Sequence, residues 1–275
     1  MGTAAASGRR QSAWFGVAAR DNRLPMKALQ RCLAILFAAG VAAAIALSLR
    51  DTALPDASAI DDAIKQGEPL QEASDQRPFS AVIKGYTYTL TPRATYDISG
   101  LVVSQHRGDA LFNLYHKADP GNIKDVCVVW GEIITNGSYR KVSYRSEEFT
   151  CSYSWSGVIT PRFNPEKISN NHLIPASPAV ARRIRAIHVG DQIRMKGLLV
   201  DYSVASDGRE VLTRRTSLTR TDTGNGACEV LWVADISVLR PGNHLLADAA
   251  AYAWYASLGL FVALGAVWFA RPPVV

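Results

Sequence analysis

Three groups of side chains in this sequence could do chemistry. The first is His172, in the run Ser169-Asn170-Asn171-His172. Flanking amides could orient such an imidazole as a base or a ligand. The plainer alternative is a loop whose asparagines close turns and whose histidine fills a gap. The second group is Arg214, Arg215 and Arg220, ahead of the Gly-rich run Thr221–Gly226 with Asp222 and Asn225. Backbone N–H groups and guanidinium groups in that pattern could cradle a phosphate or carboxylate. The alternative is a tight turn beside solvated arginines.

The third group is the cysteines. Cys32 sits at the edge of an apolar run, and Cys127, Cys151 and Cys228 lie in the polar middle of the chain. An oxidising compartment favours one disulfide among these three, with one thiol left over. Cys127–Cys151 would close the shortest loop. Cys151–Cys228 is preferred, because each is near the edge of a predicted strand while Cys127 reads as buried mid-strand. There is no Cys-x-x-Cys, and His106 and His116 have no ligand spacing, so neither a metal nor a cofactor is expected.

Other motifs are weaker. Asp222-Thr223-Gly224 lacks the second copy and the apolar context of an aspartic protease. The serine-nucleophile, P-loop and dinucleotide signatures are absent. A hydrolase built on this chain would pair His172 with Asp222 or Glu229. Arg182, Arg183, Arg185, Arg194 and Lys196 form a local basic patch that suits lipid headgroups or simple solvation. Trp130, Trp155 and Trp232 read as core or rim aromatics, and Tyr153 with Trp155 could form a stacking platform.

The elements that must position these residues begin with two apolar segments. Residues 32–49 hold no charge, and residues 249–270 are 22 uncharged residues, about 33 Å as a helix at about 1.5 Å per residue. Tyr252, Trp254 and Tyr255 at one end of the second, and Trp268 and Phe269 at the other, are interface anchors. The net charge is +6 over 275 residues, but residues 50–248 balance at 23 basic and 23 acidic. The excess sits in Arg9, Arg10, Arg20, Arg23, Lys27 and Arg31, and in Arg271. That is a positive-inside pattern and not a nucleic-acid footprint. Met26 followed by Lys27 and Arg31 also reads as the start of a signal peptide. The uncleaved anchor is preferred, and both readings export the middle of the chain. The Ala- and Arg-rich composition suits a bacterial inner-membrane protein.

The expected organisation is a basic cytoplasmic N-terminus over 1–31 and a span or signal peptide over 32–49. An acidic tether over 50–77 leads to a periplasmic β domain over 78–243. A second span over 249–270 and a cytoplasmic tail over 271–275 complete it. Within the domain, strands are predicted at Tyr86–Leu90, Tyr96–Ser104, Ile123–Ile134, Tyr139–Tyr144, Glu147–Ser156, Gln192–Val204, Arg209–Arg220 and Glu229–Leu239. Asn136-Gly137 and Asp207-Gly208 are hairpin cues. Ser177-Pro178 opens a helix to about Ile187. Five or more strands with one helix among them predict a mainly β fold, OB-like or another small barrel with one helix, flanked by two transmembrane helices.

At Ile123–Glu132, Ser169–Leu173, Gly190–Tyr202 and Arg220–Glu229 the chain resembles a family of uncharacterised bacterial domains that are membrane-anchored or exported. The resemblance covers roughly residues 95–240 and assigns no chemistry. The order span, β domain, span is also similar to the membrane-proximal domain of mitochondrial E3 ligases, although no RING follows the second span. The expectation is an interaction or assembly module on the inner membrane, with another envelope protein or a second copy as partner and no nucleic acid. The alternatives are a ligand or lipid-headgroup sensor using the arginine loop, and a periplasmic hydrolase.

Overall fold

The computed structural model describes residues 23–51, 54–108, 119–147, 149–222 and 227–270. Asn225, His116 and the N-terminal arginines up to Arg20 lie outside the described residues. The chain enters through helix α1 (Arg23–Asp51) and a single turn, α2 (Asp62–Gln66). Strands β1 (Leu70–Ala73), β2 (Phe79–Ile83) and β3 (Tyr86–His106) follow. Next come β4 (Lys124–Val129), the short helix α3 (Glu132–Thr135), and the hairpin β5 (Ser143–Glu147) and β6 (Thr150–Ser154). Strand β7 (Ile168–Pro175) leads to helix α4 (Pro178–Arg185), then β8 (Gln192–Ser206), β9 (Arg209–Arg214), β10 (Glu229–Arg240) and helix α5 (His244–Phe269). The chain is thus mainly β, with an apolar helix toward each end.

One large sheet runs β1-β3-β4-β7-β10-β8-β9, with β2 also on β3. Strand β3 pairs with β8 as well as with β4, so β3, β4, β7, β10 and β8 close a ring. All of these neighbours are antiparallel except β7 and β10. The parallel pair requires a crossover, and α4 begins it. Ser177 accepts from the Val180 N–H and Pro178 fills the first turn, as the Ser-Pro cue predicts. Buried Lys124 donates to the carbonyls of Arg185 and Ile187, at 3.2 and 2.7 Å, and so satisfies the C-terminal end of α4.

Several local expectations change. The first two predicted strands are one 21-residue strand, because the register shift between Pro92 and Ala94 absorbs the proline in a bulge. Asn136-Gly137 does not turn a hairpin. Gly131, at φ +71, bends the chain out of β4, and Gly137, at φ +76, ends the helical turn that follows. Asp207-Gly208 does turn a hairpin, with both residues at positive φ and Ser206 opposite Arg209. The acidic stretch expected to be a tether joins the fold: Ile60 and Ile64 are fully buried, and β1 pairs with β3. The alternation of apolar and acidic residues there hid two core positions.

The two ends of the chain form a separate compact unit from the Ile45–Ala251 domain. Met26–Leu49 in α1 and Asp248–Phe269 in α5 are each long and apolar enough to cross a membrane. They meet at Phe37 and Phe261, whose rings are 5.9 Å apart. Gly40 lets them approach, since a Cβ there would stand 2.7 Å from the Ser257 hydroxyl.

Candidate active site

Residues that are far apart in sequence converge on one cavity of about 1140 Å³. His172, Arg214, Arg215, Arg220, Asp222, Cys127, Cys151 and Cys228 all line it. The register explains the convergence. Asp125 on β4 pairs directly with His172 on β7, and Cys127 pairs directly with Asn170 two residues earlier. In the parallel β7–β10 ladder, Glu229 stands opposite Asn171, which brings Cys228, the residue before β10, alongside Asn170. Side chains two apart on a strand share a face. Asp125, His172, Asn170 and Cys127 therefore point the same way, with Cys228 beside them.

The contacts form a relay. Asp125 Oδ1 lies 2.7 Å from His172 Nδ1, and both residues are buried. Cys228 lines the same cavity and interacts electrostatically with the imidazole, while its thiol donates to the Phe149 carbonyl at 3.6 Å. Two more donors fix the Asp125 carboxylate: Asn122 Nδ2 at 2.8 Å and the Phe149 N–H at 2.9 Å. Phe149 closes the site from above. Its ring stands edge-on to His172 at 5.5 Å, and the Arg214 guanidinium lies 3.5 Å over its other side. Asn170 Nδ2 donates to the Cys228 sulfur at 3.4 Å.

The electrostatics follow from this burial. Desolvation disfavours the His172 cation, but the Asp125 carboxylate beside it and the Cys228 sulfur outweigh it, and the imidazole is pushed up to about 9. Desolvation also raises the Cys228 thiol. His172 and the Asn170 hydrogen bond more than offset this, so the thiol lies below its ordinary value. Burial raises Asp125, and the His172 charge and the surrounding donors bring it below the usual carboxylate range. The shifts keep His172 protonated at neutral pH beside the Asp125 carboxylate, and they make the Cys228 thiol more acidic than an isolated one.

The structure corrects the expected disulfide. Cys127 bonds Cys151, with Cα atoms 6.1 Å apart, and Cys228 is free. Hairpin β5–β6 folds Cys151 over mid-strand Cys127, a long-range placement that strand-edge reasoning does not see. The carboxylate at His172 is likewise Asp125 and not Asp222 or Glu229. Asp222 accepts from Ser217 and Thr219 at 2.7 and 2.6 Å. Glu229 accepts from Ser169 at 2.6 Å and pairs with Arg220, which also donates to the Tyr96 hydroxyl at 2.7 Å. The arginines therefore divide: Arg220 is tied to Glu229, Arg214 covers Phe149, and Arg215 is exposed. Trp130 is core, and its indole N–H reaches Glu68 at 3.0 Å. Tyr153 and Trp155 stack at 6.3 Å on an exposed flank beside Phe163.

No group of three or more His, Cys, Asp or Glu side chains placed to hold a metal ion occurs among the described residues. Comparison of the chain with protein-family models, with curated proteins and with solved structures gives no match. Asp125 is the partner of His172 that sequence reasoning missed, since the pairing exists only in the β4–β7 register. Cys228 carried a signal: it is a thiol left over after one disulfide, in a chain with a candidate histidine.

Proposed function

We propose that the protein is a membrane-anchored thiol enzyme that transfers or hydrolyses acyl groups, with Cys228 as nucleophile. The observation that carries this reading is the line Asp125–His172–Cys228 in the wall of a cavity. A carboxylate holds an imidazole, and a thiol lines the same wall within electrostatic reach of it, as nucleophilic catalysis requires. The Cys228 thiolate attacks an acyl carbon, and the Asn170 amide, which donates to the sulfur at 3.4 Å, is the donor this reading assigns to the developing oxyanion. His172 passes its Nε2 proton to the leaving group. It then takes a proton from the incoming water or alcohol, which releases the acyl group and restores the thiolate.

The fold and location belong to the same reading. The return of β3 to β8, with α4 between the third and fourth ring strands, supports an OB-like barrel. The positive-inside charge pattern supports two anchors in a bacterial inner membrane, the domain in the periplasm and both termini in the cytoplasm.

The test is acyl trapping on the full chain in detergent, with p-nitrophenyl acetate and peptide mass mapping. Acetylation should fall on Cys228, vanish in Cys228→Ala, and slow about 100-fold or more in His172→Gln. Acetylation elsewhere, or at Cys228 but at an unchanged rate in His172→Gln, would sink the proposal.

A second reading, an interaction module for an envelope partner or a second copy, is supported by the exposed Tyr153, Trp155 and Val158. Partner capture by in-cell crosslinking that is lost in Trp155→Ala would favour it.

A further inference from the structure

The three cysteines of the domain stand in an order that permits a second reaction. Cys127, Asn170 and Cys228 lie in a row across β4, β7 and the start of β10. Cys228 is therefore two strand spacings from Cys127, roughly 9–10 Å between backbones. A disulfide needs Cα atoms within about 7 Å, so those two cannot bond without moving the sheet. Cys151 is different. It belongs to the β5–β6 hairpin, which makes its own two-stranded sheet with no strand ladder to the ring and touches the ring through single bonds such as Ser146 to Ser104 at 2.7 Å. The hairpin lies over the row, with Cys151 bonded to Cys127 at one end. At the other end the Cys228 sulfur sits 3.6 Å from the carbonyl of Phe149, two residues before Cys151. All three sulfur-bearing residues line the same cavity.

We propose that Cys228 exchanges with the Cys127–Cys151 disulfide, so that the domain interconverts between a Cys127–Cys151 and a Cys151–Cys228 form. The Cys228 thiolate attacks the Cys151 sulfur. The new bond is Cys228–Cys151, the bond that breaks is Cys127–Cys151, and its electron pair leaves on Cys127. Cys127 then takes up the proton that His172 no longer shares with a thiolate. One disulfide and one thiol are present before and after, so no outside oxidant or reductant enters. Hairpin β5–β6 is the moving part, because both ring cysteines are fixed by strand pairing.

The consequence is a nucleophile that is switched by sulfur position. In one form Cys228 is free beside His172. In the other it is capped and the buried thiol is Cys127. The step uses the same thiolate as the proposed acyl chemistry but needs no acyl substrate, so the two can fail separately.

The experiment uses the full chain in detergent in a Cys32→Ser background, acid-quenched, alkylated and mapped by mass spectrometry. The expected wild-type result is two linked species, Cys127–Cys151 and Cys151–Cys228, each with the remaining cysteine alkylated. In Cys127→Ala with oxidised glutathione as oxidant, a Cys151–Cys228 link should form. His172→Gln should slow its formation about ten-fold or more by lowering the thiolate fraction. The proposal is overturned if the wild type gives only Cys127–Cys151 and Cys127→Ala leaves Cys151 and Cys228 separately glutathionylated. If p-nitrophenyl acetate still acetylates Cys228 in that case, the nucleophile stands and only the exchange falls.

Discussion

An imidazolium held by a buried carboxylate makes the Cys228 thiol more acidic than an ordinary one. Its alkylation by iodoacetamide should have a pH midpoint below the ordinary value of about 8.5. His172→Gln should raise that midpoint and slow the reaction at pH 7 about ten-fold, because burial remains and the cation is gone. An identical profile in the two proteins would contradict the ion pair. Asp125 makes a different prediction. Its carboxyl is held below its unfolded value, so its stabilisation is present above about pH 4 and is lost as pH falls through the folded value. Asp125→Asn should destabilise the domain by about 3 kcal/mol at neutral pH. The gap from wild type in thermal melts should narrow as pH falls below about 4. His172 was legible as a candidate because its neighbours are unusual. Asp125 was not, because nothing local distinguishes it from any strand-edge carboxylate.

The elements that carry the site are stiff where they pair and loose where they do not. Hairpin β5–β6 is tied by the Cys127–Cys151 bond, which closes a loop with a sequence separation of 24. The chain-entropy estimate for such a loop is about 3.5 kcal/mol. Cys127→Ala with Cys151→Ala should therefore lower stability by a few kcal/mol. Amide exchange should quicken in 143–154 before the ring strands respond. Gly197 shows the opposite case. A Cβ there would meet the Trp232 carbonyl at 2.0 Å, beside the bulge between Val233 and Asp235. Gly197→Ala should cost about 2 kcal/mol or more in denaturant titrations. The sequence marked Gly197 as a break, and it marked the Ser177 cap and the Asp207-Gly208 turn, because those signals act within a few residues. It misread Asn136-Gly137, whose conformation suits a helix end as well as a hairpin. Only the path beyond Gly131 decides between them.

At the scale of the molecule, the charge ledger and the two apolar helices make one testable statement about topology. In spheroplasts, external protease should digest the Ile45–Ala251 domain while a tag before residue 23 stays protected until the membrane is permeabilised. Protection of the domain would reverse the orientation. The unit formed by α1 and α5 should depend on close approach at one point, so Gly40→Leu should weaken helix pairing in a membrane crosslinking assay without altering the domain's melting.

Strand β3 has a further consequence, for the order of events in folding. It is made early, yet it must hold β1 and β2 from before it, β4 from just after it, and β8 from far along the chain. Its edge stays open until β8 (Gln192–Ser206) exists, and the ring cannot shut until β10 (Glu229–Arg240) does. Before β8 arrives the strand offers a long unpaired backbone edge, and the cysteine row is incomplete. Contacts of such sequence separation make the search, not local propensity, the slow step. The chain should therefore acquire its reactive thiol last, with the arrival of β10, after the scaffold that holds Asp125 and His172 has formed.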